Sequence, residues 1–92
     1  MVQMEELVLD GNAIAGLLGE IFTMEMTSAV ATCGGCGAVM PVGRVHVYMH
    51  GPGKVARCPR CGRMLFRIAS GSRRAWLDFS GTACIEVAMP QA

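Results

Sequence analysis

Two Cys-x-x-Cys-Gly segments constrain this chain more than any other feature. They are Cys33-Gly34-Gly35-Cys36-Gly37 and Cys58-Pro59-Arg60-Cys61-Gly62, with 21 residues between Cys36 and Cys58. Two cysteines three apart can turn both sulfurs toward one ion. Two such hooks supply the four thiolates of a tetrahedral structural zinc site. The glycine after each second cysteine suits a backbone that needs positive φ. It also leaves amides free to point at sulfur and offset thiolate charge. Pro59 stiffens the second hook. The alternatives are two disulfides or a redox dithiol. A redox pair is a single motif at a helix start, whereas here there are two motifs, each placed to join strands. The expected ligands are Cys33, Cys36, Cys58 and Cys61, holding one structural Zn²⁺ per chain.

Size strengthens the expectation. A chain of 92 residues is one compact unit. It divides into an acidic N-terminal segment, 1–28, and a zinc-ribbon β domain, 29–92. The β part alone has a thin core, and small cores commonly need a metal staple. Zinc binding contributes about 10 kcal/mol or more to the folding of such modules.

The formal charge of +1 hides an asymmetry. Residues 1–28 hold Glu5, Glu6, Asp10, Glu20 and Glu25 and no lysine or arginine, a net −5. The remainder holds all eight basic residues against Asp78 and Glu86, a net +6. A zinc–tetrathiolate centre would lower that by two. Such asymmetry points to a charged partner or to docking of one half on the other, though a solvated surface explains it equally. Residues 1–10 lack the basic start of a secretory signal. No apolar run approaches the ~20 residues that span a bilayer. Thiolate ligands and a fifth, unpaired Cys84 fit a reducing cytoplasm, with Cys84 expected to be a small packing residue.

The N-terminal segment predicts one amphipathic helix over about residues 11–23. Asp10 is placed to cap it. Ile14, Leu17, Leu18, Ile21 and Phe22 form one apolar stripe. Gly16 and Gly19 weaken the helix, so packing must hold it. The stripe is expected on the chain's own sheet, with Phe66, Ile68, Leu77 and Phe79 as partners, or else in a groove on another protein. Met24 and Met26 continue past the helix end and read as core filling. After Ser28 the pattern becomes β. Residues 44–50 alternate, with Val45, Val47 and Met49 on one face. Gly51-Pro52-Gly53 is a turn. Residues 63–68 place Met64, Phe66 and Ile68 together. Residues 74–79 and 82–89 complete an antiparallel meander, with Gly81 at the turn. The fold class expected is a small zinc-bound β protein, a zinc ribbon with one N-terminal amphipathic helix.

Several stretches resemble a family of small bacterial zinc-ribbon proteins of unknown function. They are Leu9-Asp10-Gly11-Asn12-Ala13, Ala15-Gly16-Leu17-Leu18, Glu20-Ile21-Phe22, both hooks, His46-Val47-Tyr48 and Trp76-Leu77-Asp78. The resemblance spans roughly residues 9–88. It implies the fold and the metal, and no activity.

Alternation also sets Arg44, His46, Tyr48 and His50 on one polar face, with Arg63 and Arg67, and Arg74, Trp76 and Asp78, in similar rows. Arginines beside exposed aromatics suit single-stranded nucleic acid. A solvated face with Trp76 packed under the helix is the plainer alternative, and the pI of 7.7 is low for a dedicated nucleic-acid binder. His46 and His50 stand ~13 Å apart along a strand, too far to share one ion. No Ser-His-Asp set, phosphate loop or carboxylate pair is present, and four cysteines leave a zinc ion no open position. The expectation is a non-enzymatic protein acting as an adaptor or regulator on another protein, without a membrane. Nucleic-acid or ribonucleoprotein binding is the alternative.

Overall fold

The structure is a computed structural model that describes residues 9–49 and 53–89. Among the described residues, eight short strands form two antiparallel sheets. The larger sheet contains β1 (Leu9–Asp10), β4 (His46–Tyr48), β5 (Gly53–Arg57), β6 (Met64–Ser70) and β7 (Ala75–Asp78), in the order β1-β4-β5-β6-β7. The smaller contains β2 (Val30–Cys33), β3 (Val39–Pro41) and β8 (Thr82–Glu86), in the order β3-β2-β8. The meander expected from the sequence holds from β4 to β7. It then ends, because β8 leaves the larger sheet and pairs with β2, Ala31 opposite Ile85.

A glycine makes that exit possible. A β-carbon on Gly81 would overlap the Met64 carbonyl oxygen. The Gly81 N–H donates to the Leu65 carbonyl at 3.2 Å, and its own carbonyl accepts from Gly34 at 2.9 Å. The Thr82 hydroxyl adds a bond to the Leu65 carbonyl at 2.9 Å. The β7–β8 turn is therefore seated on β6 and on the first cysteine hook together, and it hands the chain from one sheet to the other.

The helix is shorter than its apolar pattern. A 3₁₀ turn over Gly11–Ile14 leads into α1 (Ala15–Ile21). Asp10 caps the start, its carboxylate accepting from the Asn12 N–H at 3.1 Å. Gly11 lies so close to the Val42 carbonyl that a side chain there would overlap it. That approach holds the first turn in the tighter 3₁₀ form. Phe22 is already extended, and its N–H closes the last turn on Leu18.

Ile14 and Leu18 are 2 % exposed and share one core with Val42, Val45, Val47, Ala56, Phe66 and Ile68. The stripe thus docks on the same chain. Leu17, Ile21 and Phe22 are only half-buried beside it. Leu9 pairs with Val47 and Asp10 with His46, so segment 1–28 supplies an edge strand to the larger sheet. Among the described residues no polar or charged side chain is buried, and no helix is long and apolar enough to cross a membrane.

Candidate metal centre

The two hooks close two hairpins, one in each sheet. Residues 33–37 link β2 to β3, and residues 58–62 lead from β5 to β6. Their local structure is the same at each equivalent position. The first cysteine donates its N–H to the residue five ahead, Cys33 to the Ala38 carbonyl and Cys58 to the Arg63 carbonyl, both at 2.8 Å. Its carbonyl accepts from the glycine four ahead, Gly37 at 3.0 Å and Gly62 at 2.8 Å. Those glycines have φ of +77° and +82°, the left-handed region that a Cβ disfavours. The sulfur of the first cysteine accepts from the N–H two ahead, Gly35 and Arg60, each at 3.3 Å. Both backbone features expected from the sequence are therefore present.

This repeat brings all four sulfurs within 4.8 Å of one another. Across the hooks, Cys33 Sγ lies 3.7 Å from Cys61 Sγ, and Cys36 Sγ lies 3.7 Å from Cys58 Sγ. A tetrahedron with ~2.3 Å metal–sulfur bonds has edges of about 3.8 Å. A disulfide needs about 2.0 Å, and all five cysteines are free thiols. The donor set therefore fits a single metal ion. Cys33 and Cys58 are buried, whereas Cys36 and Cys61 are exposed, so the cluster sits at the surface with one sulfur of each hook facing water.

The protons on these thiols are unevenly held. N–H groups of Cys36 and Gly35, together with neighbouring thiols, hold the Cys33 thiol down at about 6, against the effect of burial. For Cys36 the Ala38 N–H favours the thiolate, but desolvation and the Cys58, Cys61 and Cys33 thiols outweigh it and push the group up to about 11. One thiolate forms readily here and a second is opposed by the first, which is the charge pattern a cation relieves.

Two arginines brace the hooks. Arg57 donates to the Gly62 carbonyl at 3.0 Å, and its guanidinium lies 5.9 Å from the Tyr48 ring centre. The Arg63 side chain passes over Gly35, where a β-carbon would come within 2.5 Å of its Cδ. Arg63, expected on a polar strand face, therefore lies outside β6 and against the first hook.

The other singled-out residues divide by face. Tyr48, Val55, Arg67 and Asp78 lie in one cross-strand row of the larger sheet. Trp76 shares that face and is 57 % exposed, so it is not packed under the helix. Asp78 is held below its ordinary carboxylate value by the Ser80 hydroxyl and N–H, and by Arg67. Arg44 sits in a 3₁₀ turn over Val42–Arg44 rather than in a strand. His46 is exposed on β4, Arg74 is exposed before β7, and His50 lies outside the described residues. Cys84 is exposed on β8 opposite Thr32, so it is not the packing residue expected.

One feature was not expected. Phe22, Met24, Met26, Leu77, Phe79, Ile85 and Val87 line an almost wholly apolar groove of about 460 Å³. Met24-x-Met26 and Ile85-x-Val87 carry the period-2 spacing that would place such residues on one side, but each pair alone reads as core.

These features define a small antiparallel β protein with one short N-terminal helix and a four-cysteine cluster suited to one metal ion. The chain belongs to a family of unknown function, DUF6510, which matches residues 3–90. No curated protein and no solved structure matches it significantly.

Proposed function

We propose that this is a zinc-ribbon protein without catalytic activity, in which Cys33, Cys36, Cys58 and Cys61 hold one structural Zn²⁺ and the folded chain binds another protein. The sulfur spacing of 3.7 Å across the hooks supports the metal. Four sulfur donors in a tetrahedral set select zinc or iron, and zinc adds no redox chemistry. A shell closed by four thiolates stabilises a fold and leaves no position for substrate.

The apolar groove carries the binding role. Exposed apolar patches rimmed by polar groups mark interaction sites. Helix-proximal Phe22, Met24 and Met26 form one wall, and Leu77, Phe79, Ile85 and Val87 form the other. Glu25 lines the cavities that adjoin it, its carboxylate accepting from the Thr27 N–H and hydroxyl. That chemistry suits an amphipathic protein segment with apolar anchors beside basic residues.

Metal analysis of protein purified in reducing, chelator-free buffer should give one zinc per chain. Iron in its place, or no metal, overturns the zinc reading. Capture from native lysate with the wild-type chain and with Leu77→Glu, each with and without nuclease, tests the binding role. A partner lost with Leu77→Glu and kept after nuclease supports it. Capture indifferent to Leu77→Glu refutes the groove.

A further inference from the structure

We propose that the outer face of the larger sheet binds single-stranded nucleic acid, with Trp76 as a base-stacking platform and Arg67 as its nearest phosphate contact. This goes beyond the groove, because β7 alternates. Leu77 and Phe79 point to the groove side, Phe79 stacking on buried Phe66 at 4.9 Å between ring centres. Trp76 and Asp78 point the other way.

Three observations carry the proposal. The first is charge. The outer face carries Arg57 and Arg67, with Arg73 and Arg74 in the turn before β7, against Asp78 and, beside His46 on the edge strand, Asp10. The second is exposure. His46, Arg57, Arg67, Trp76 and Asp78 are all exposed on the outer face, and Tyr48 is half-buried. Arg57 lies over the Tyr48 ring, while Arg67, Trp76 and Asp78 are open. The third is placement. Ala69 pairs with Trp76 and Arg67 with Asp78, so Trp76 and Arg67 are diagonal neighbours across β6 and β7. The stem of Arg67 lies over Gly53, where a β-carbon would meet its Cγ at 3.6 Å, and a β-carbon on Gly71 would meet the indole edge at 3.6 Å. The indole edge thus lies beside the turn that carries Arg73 and Arg74. Tyr48 stands on the strand three places away, about 14 Å across the sheet. A strand of nucleic acid crossing from Trp76 to Tyr48 passes over Arg67. Stacking on exposed aromatics with arginines along the path is how single strands are held without sequence readout. Asp78 opposes phosphate here, but its carboxylate already accepts the Ser80 N–H at 2.9 Å.

The chain has one tryptophan, so its fluorescence reports this site directly. The metal-replete full chain would be titrated with oligouridylate and oligothymidylate of about 12 nucleotides, with duplex DNA and heparin as further arms. The expected result is saturable quenching by the single strands. Preference between the two arms reports whether a 2′-hydroxyl is read. Three phosphate contacts, from Arg67, Arg73 and Arg74, give a log–log salt slope of about −2. The Trp76 variants lack this fluorophore and are read by the anisotropy of a dye-labelled strand: Trp76→Ala should weaken binding about 5- to 150-fold, and Arg67→Gln should flatten the slope by about 0.7. If Trp76→Ala does not fold, Trp76→Phe should keep binding within a few-fold while Arg67→Gln still lowers the slope. The proposal is overturned by absence of binding in low salt, by equal binding of heparin or duplex, or by unchanged affinity in Trp76→Ala. It is also overturned if Trp76→Ala loses a nuclease-resistant protein partner while keeping oligonucleotide affinity.

Discussion

Leu18→Ala is the sharpest test of whether the N-terminal helix belongs to this core. Leu18 is 2 % exposed and is the buried residue of α1. The substitution removes three carbons, a transfer loss of about 2.4 kcal/mol at ~0.8 kcal/mol each. A residual cavity would add to that, up to the ~5 kcal/mol seen at rigid sites. Here the addition should be small. Leu18 also lines a cleft with Ala15, Gly19, Phe22 and Thr23 that opens to solvent, so the void joins space that water can reach. The expected cost is about 2–3 kcal/mol, or a fall in Tm of roughly 10–20 °C for a domain of this size. Urea unfolding at fixed free metal measures it, since metal binding shifts apparent stability by mass action. Leu17→Ala, at a half-buried position, should cost about half as much. A change near zero for Leu18→Ala would refute the docked helix and return its stripe to a partner.

Three further outcomes follow from the geometry. Gly19→Ala, with nothing within 4 Å of the new β-carbon, should stabilise the helix by about 0.5–1 kcal/mol, whereas Gly81→Ala must push the Met64 carbonyl away and should destabilise in the same thermal melt. Cys33→Ser should abolish metal binding and unfold much of the chain, while Cys84→Ser, outside the four-cysteine cluster, should leave metal stoichiometry unchanged in elemental analysis. Metal affinity should fall as pH falls, because protons compete for sulfur. The Cys36 thiol, pushed up to about 11, must give up its proton to the metal across the whole neutral range, while Cys33, held near 6, begins to compete only as the pH falls toward that value. Competition against a chromophoric chelator from pH 5.5 to 8 should therefore show a loss that steepens below about pH 6.

The cluster was legible because its determinants are local. Four cysteines and two glycines in two five-residue segments specify the hook, including the positive φ at Gly37 and Gly62. The strands β4 to β7 were legible because alternation shows where a strand lies. Alternation does not show which strand lies beside it. Residues 82–86 read as one more step of the meander, but their place next to β2 depends on a backbone contact, Gly81 against the Met64 carbonyl, that leaves no trace in hydrophobic pattern. The 3₁₀ form of Gly11–Ile14 hid for the same reason, although Asp10 and the helix start did not: Gly11 against Val42 is a close approach between segments 31 residues apart. Trp76 hid differently. On an edge strand the pattern names two faces and cannot say which one is covered.

The groove and the outer face depend on the two sheets to different degrees, and neighbouring residues separate them. The groove takes walls from the larger sheet, from β8 and its extension, and from the segment after α1. It therefore depends on both sheets staying together, through the hooks and through the β7–β8 turn seated on β6. The outer face belongs to the larger sheet alone. Leu77→Glu places a charge in apolar surroundings and should abolish protein capture. It should leave oligonucleotide quenching within about twofold, because the side chain points away from Trp76. Trp76→Ala, read by the anisotropy of a dye-labelled oligonucleotide, should do the reverse. Leu77 is 42 % exposed, so the glutamate can reach water and the fold should survive, which circular dichroism and metal content would confirm. If both substitutions impaired both activities in proteins that remained folded, the two surfaces would be one site wrapped around the edge of β7, and the assignment of separate partners to its two sides would be wrong.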